Sequence, residues 1–133
     1  MEISATVISS SHAHQVTVRT GSATQSLAVS PKPSGSGSSI NGGEFLMLAL
    51  ATCYCNDLYR EAERLRIPIE SAEVEAIAQF PGIGLAATGI RYRALVKSSA
   101  TAEAVAELLR QTDAVAEVHN TVRAGVPVEL VLS

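Results

Sequence analysis

The chain has 133 residues, 47% of them hydrophobic and only 4% aromatic, with a formal net charge of -3, which fits one small domain that buries its own core. A mildly acidic chain with scattered arginines has no basic stripe to neutralise a phosphate backbone, so nucleic acid is excluded as an expected partner. The opening MEISATVISSSHAHQVTV has no basic segment leading into an apolar run, and no apolar stretch reaches the ~18 residues of a membrane span, so the reading is no membrane partner and a cytoplasmic setting.

In chain order, residues 1–30 hold three short runs, EISATVIS, HQVTVRTG and TQSLAVS, which mix β-branched and polar residues and break at SSSHA and GSA. They read as three antiparallel strands. Residues 31–43, PKPSGSGSSINGG, have nothing apolar to bury and read as a loop; the GSGSS within it lacks the Lys of a phosphate-binding loop. Residues 44–65 are helix formers without Pro or Gly, and Glu44 stands where an acid complements the helix dipole.

The first half of that helix, Phe45 to Ala51, is apolar on every side, which predicts burial all round and a partner chain to complete it. In the second half Asn56, Asp57, Arg60, Glu61, Glu63 and Arg64 are expected to reach solvent, with Asp57 and Glu61 an acid pair among interleaved arginines.

Residues 68–98 alternate at period two about PGIG and predict a hairpin. Ala72, Val74, Ala76, Ala78 and Phe80 share one face, as do Ile90, Tyr92, Ala94 and Val96. Pairing centred on Ile83 sets Glu73 opposite Arg93 and Glu75 opposite Arg91. Residues 101–124 read as a helical stretch capped by Thr101, bent near Thr112–Asp113 and stopped by Gly125; residues 126–132, VPVELVL, read as a closing strand. The predicted class is α+β, one domain with a mostly antiparallel sheet and two helices.

Chemistry centres on Cys53 and Cys55. Two cysteines in a chain of this size make no disulfide framework, so both thiols are expected free. Two residues along a helix they diverge by about 200°, whereas a bridge needs Cβ atoms about 3.8 Å apart. Cys53 shares a face with Leu46, Leu50, Asp57 and Arg60. Arg60 would lower its pKa, while Asp57 and burial would raise it.

His12 and His14 are too few to hold a structural metal, so no metal and no cofactor are expected. His119 reads as a surface or capping histidine. A Cys53–His119–Asp57 acyl-transfer set lacks any elbow or oxyanion-hole pattern.

A Gly/Ser-rich loop running into GGEFLMLALATC resembles the OsmC/Ohr family, in which a reactive cysteine follows a helix-opening Glu by ten residues. VHNTVRAGVPVEL resembles that family's second motif. The resemblance implies an OsmC-like fold, an intertwined homodimer with sites at the subunit interface, and hydroperoxide reduction at Cys53. It also implies an Arg and a Glu holding the thiolate. The family's Glu position falls on Gly43, with Glu44 one residue late, and the nearest arginine to its Arg region is Arg19. The resolving-cysteine position falls on Ala116, so recycling would need an external thiol reductant.

The implied activity is thiol-dependent reduction of small organic hydroperoxides in oxidative-stress protection. The catalytic candidates are Cys53, Glu44 and Arg19, with Cys55, Asp57, Arg60 and His119 secondary. The alternative is a non-catalytic dimer holding a small apolar molecule.

Overall fold

The computed structural model describes every residue except His12 and Ser133, so the His12 half of the paired-histidine reading lies outside the described residues. The architecture is α+β: β1 (Ile3–Ser9), β2 (His14–Thr20), β3 (Ala23–Leu27), α1 (Gly42–Leu65), β4 (Ser71–Gln79), β5 (Thr88–Lys97), α2 (Ala102–Val115) and α3 (Glu117–Arg123). Among the described residues the strands form two antiparallel sheets, β1-β2-β3 and β4-β5, where one was expected. The chain divides into two units, Met1–Phe45 and Leu46–Ser133. Among the described residues no helix is long and apolar enough to cross a membrane.

In the first unit β2 is the central strand, paired from Ile3↔Thr20 to Ser9↔His14 on one side and from Val16↔Leu27 to Thr20↔Ala23 on the other. The Pro/Gly/Ser loop folds back on itself: Pro31 bridges Ser38, and the Lys32 N–H donates to the Gly37 carbonyl at 3.0 Å. Gly37 turns at φ +103°, a conformation that a side chain would strain.

The start of α1 is set by a reciprocal cap. The Glu44 N–H donates to Asn41 Oδ1 at 2.8 Å, and the Asn41 N–H donates to Glu44 Oε1 at 3.1 Å, satisfying two donors that the first helical turn leaves without partners. At the other end Arg66 adopts φ +55°. The Ile67 N–H returns to the Ala62 carbonyl and the Arg66 N–H to that of Glu63, the paired bonds of a Schellman stop, and Pro68 prevents resumption.

The core of the second unit is Tyr54, Leu58, Ala62, Leu108 and Ala116, with Ala72, Val74, Tyr92, Ala94 and Val96 packed against it. The inward alternation of β4 and β5 therefore follows the expected faces along most of the hairpin, but Ile90 is 38% exposed and Phe80, beyond the end of β4, 52%. The register is displaced by two residues from the expected one. Glu75 pairs with Arg93, Glu73 with Leu95 and Arg91 with Ile77, above an irregularity between Ile77 and Gln79. A shift of two preserves every face and changes only the charge partners.

Three further expectations are corrected. The second helical stretch breaks at Ala116, extended at φ -70° and ψ 104°, so that α2 and α3 are separate. It stays helical through Thr112, whose hydroxyl donates to the Leu108 carbonyl at 2.8 Å. Residues 126–132 form no strand among the described residues. Val128, Leu130 and Leu132 stand largely exposed, because an alternating apolar segment becomes a strand only where a neighbouring edge takes its backbone groups. Within a single chain the apolar start of α1 is also incompletely covered, with Leu48 55% exposed.

Candidate active site

Cys53 lies midway along α1, half-buried against the core. One turn on, Asp57 presents Oδ2 at 3.7 Å from the Cys53 Sγ, since residues i and i+4 share a helix face. From α3, Glu117 brings Oε2 to 3.8 Å from the same sulfur. One donor atom from each of the three residues lies within 4.8 Å of the others. Arg60 closes the group, its Nη1 standing 3.0 Å from Asp57 and 3.8 Å from Glu117. The guanidinium thus pairs with the carboxylates, which leaves the thiol facing two acids.

The electrostatics follow from that arrangement. Burial pushes the Cys53 thiol up; the Val118 backbone N–H opposes this, and the charges of Asp57 and Glu117 add to it. The competition left open by the sequence thus falls against the thiolate. Burial also raises the Asp57 carboxyl, helped by its hydrogen bond to Glu117 and by that residue's charge. Glu117 is held down by its own backbone N–H and then by the Asp57 hydrogen bond. Asp57 is therefore the more basic member of the pair.

Asp57 and Glu61 do not form the solvated face expected of them: both are buried. Each lies on the inward side of α1, and an arginine three residues on reaches over it, Arg60 to Asp57 and Arg64 to Glu61 at 2.8 Å. Buried carboxylates require such partners.

His119 is also corrected. It is neither on the surface nor at a cap but 3% exposed. Its ring centroid lies 4.5 Å from that of Tyr92, edge to face, and 5.8 Å from that of Tyr54. Burial lowers its pKa.

Arg19 and Glu44 belong to the first unit and are engaged locally. Arg19 pairs with Glu2 at 2.5 Å and donates to the Ser4 hydroxyl and the Gly21 carbonyl, while Glu44 serves the α1 cap. Cys55 is half-buried and free, as is Cys53. His14 opens β2. The residues gathered at the thiol are thus Cys53, Asp57, Arg60 and Glu117. Glu117 carries no motif signal of its own; its one sequence cue is that it follows Ala116, the position that the second motif aligns with a resolving cysteine.

The profile of OsmC-like proteins matches residues 35–131. An OsmC-like protein from Mycoplasma pneumoniae superposes with a TM-score of 0.61 at 17% identity, over 92% of this chain and 89% of that one. An OsmC-like hydroperoxide resistance protein from Jannaschia sp. gives 0.54 at 14% identity, over 88% and 79%. An OsmC-like protein of unknown function from Vibrio cholerae gives 0.55 at 16% identity, over 89% and 92%. A search of curated proteins returns no match. Likeness at such identities speaks for the fold, and the profile spans most of the sequence; the chain belongs to the OsmC-like protein family.

Proposed function

We propose that the protein is a thiol-dependent peroxidase that reduces small organic hydroperoxides, with Cys53 as the reacting thiol. The observation that carries this reading is a half-buried thiol, at the family's cysteine position, in contact with a carboxylate pair able to hold and release a proton. The sulfur attacks the distal peroxide oxygen; an S–O bond forms, the O–O bond breaks, sulfur is oxidised and the peroxide is reduced. The thiol proton passes to the Asp57–Glu117 pair and from there to the departing alkoxide, giving a sulfenic acid and an alcohol. Arg60 keeps the pair's negative charge from opposing the attack. One external thiol then condenses with the sulfenic acid, releasing water, and a second frees Cys53 as the mixed disulfide exchanges. A cytoplasmic reductant pool would suit that cycle.

The working unit we propose is a homodimer. The apolar opening of α1, with Leu48 55% exposed, gives a second copy a surface to cover. Sedimentation at micromolar concentration tests this, and a monomer with native circular dichroism would refute it.

A second reading has its own support. With the thiol held up and Ala116 in place of a resolving cysteine, Cys53 could be inert packing in a dimer that holds a small apolar molecule. Intact mass after brief cumene hydroperoxide treatment with a sulfenic-acid trap separates the two. An adduct on Cys53 is expected of the peroxidase, and an unmodified chain would leave the binding protein.

A further inference from the structure

The buried imidazole of His119 has no hydrogen-bond partner at either ring nitrogen. A buried polar group left in that condition is costly, and natural folds rarely tolerate one without a reason. Both nitrogens are enclosed, and no group of the chain partners either. It is held by shape, edge-on to Tyr92 and beside Tyr54.

The element that carries it is short and set off from its neighbour. α3 has only seven residues and joins α2 through the single extended residue Ala116, which ends one helix and begins the other without a side-chain cap on α3. Two side chains tie α3 to α2: Asn120 donates to the Ala114 carbonyl at 3.1 Å, and Arg123 meets Asp113 twice, Nη2 on Oδ1 at 2.6 Å and Nη1 on the backbone carbonyl at 3.4 Å.

We infer that His119 is an acid-sensitive latch, neutral when α3 is closed, whose protonation swings α3 away about Ala116. An imidazolium in the closed position would need an acceptor for each N–H. The groups facing it are Tyr54 from α1, Tyr92 from β5, Asp113 from α2 and Arg123 from α3. Arg123 repels it. Asp113, the one anion in the set, favours the proton by its charge, but its Oδ1 already takes the Tyr92 hydroxyl and the Arg123 guanidinium. The Tyr54 hydroxyl is given to the Leu109 carbonyl at 2.9 Å. A proton on His119 is therefore best accommodated in water, which requires α3 to open.

The sign follows from linkage. The open state binds a proton at the ordinary histidine value of about 6.5 and the closed state only at lower pH, so closure is fully favoured above about 6.5 and weakens below it, by up to tenfold per pH unit. Because α3 carries Glu117, opening would also remove one carboxylate from Cys53. That consequence rests on the function proposed above, whereas the opening itself does not.

Hydrogen exchange read by mass spectrometry between pH 5 and 8, corrected for intrinsic exchange, tests the latch. In the wild type, α3 amides should lose protection by up to about tenfold per unit below pH 6.5 while mid-α2 amides do not, and His119→Phe, which keeps a ring and removes the nitrogens, should abolish that dependence. Flat α3 protection, or an unchanged acid response in His119→Phe, would overturn the inference. If the variant does not fold, the wild-type imidazole resonances decide. Proton uptake by His119 should share its midpoint with α3 opening, and titration of the ring while α3 stays protected would overturn it equally.

Discussion

The Cys53 Sγ stands 3.7 Å from Asp57 Oδ2, and the same carboxylate holds Arg60 at 3.0 Å through its other oxygen. The acid thus lies between the cation and the sulfur. The arginine that the helix face offers as an activator of the thiol instead pairs with the acid beside it.

Asp57→Asn should separate two reactivities. Removing a neighbouring negative charge lowers the thiol pKa, so alkylation of Cys53 by iodoacetamide at pH 7 should rise. Hydroperoxide consumption should fall, because the leaving alkoxide loses its proton source. Both rates measured on the same preparation decide the matter. If they rise together, Asp57 is only a charge beside the thiol and the proton relay is wrong.

The two cysteines should part company as serines. Cys53→Ser should eliminate sulfenic-acid trapping while preserving the melting curve. Cys55→Ser should keep trapping and lower stability by about 1 kcal/mol, the cost of a half-buried hydroxyl without a good partner. With no resolving thiol, peroxide titration of the wild type without added thiol should drive Cys53 on to sulfinic acid, visible as a gain of two oxygens. A Cys53–Cys55 disulfide in that titration would contradict the helix geometry.

Glu44 offers a test of capping against chemistry. Glu44→Ala should destabilise the protein by ~0.5–1 kcal/mol through the α1 cap, and Glu44→Gln should restore most of it, since the glutamine carbonyl can accept the same N–H. Peroxide consumption per folded molecule should be unchanged in the Gln variant. A loss of activity there, with stability intact, would show that the Glu44 carboxylate takes part in the chemistry.

Alkali should unfold the second unit as its phenols ionise. Burial, then the charge of Asp113, pushes Tyr54 up to about 12, and burial with the hydrogen bond to Asp113 raises Tyr92 further. For groups raised in the folded state, the stabilisation is complete below the unfolded value of about 10 and is lost as pH climbs beyond it. Absorbance at 295 nm should therefore show these two tyrosines ionising together with the loss of far-ultraviolet ellipticity. Ionisation of all the tyrosines near pH 10 with native ellipticity would refute the burial argument.

What the sequence determined by itself was local. The period-two alternation placed Val74, Tyr92 and Ala94 on the inward faces, the run free of Pro and Gly set the body of α1 and its end at Leu65, the helix beginning two residues earlier than expected at Gly42, and the spacing from the Gly-rich loop to Cys53 carried the family. Each of these is written in consecutive residues. The tertiary structure decided what depends on distant partners: the strand register, shifted by two with the faces kept as far as the irregularity between Ile77 and Gln79, and the fate of residues 126–132, where alternation alone supplies no strand edge to pair with. It also decided which acids and histidines are buried. Asp57 reads as a solvated helical acid until α3 packs over it and brings Glu117 to within 3.8 Å of the Cys53 sulfur, and His119 reads as polar until Tyr54 and Tyr92 enclose it. Burial and charge environment belong to contacts between segments 64 residues apart, such as Cys53 and Glu117, and no local pattern encodes them.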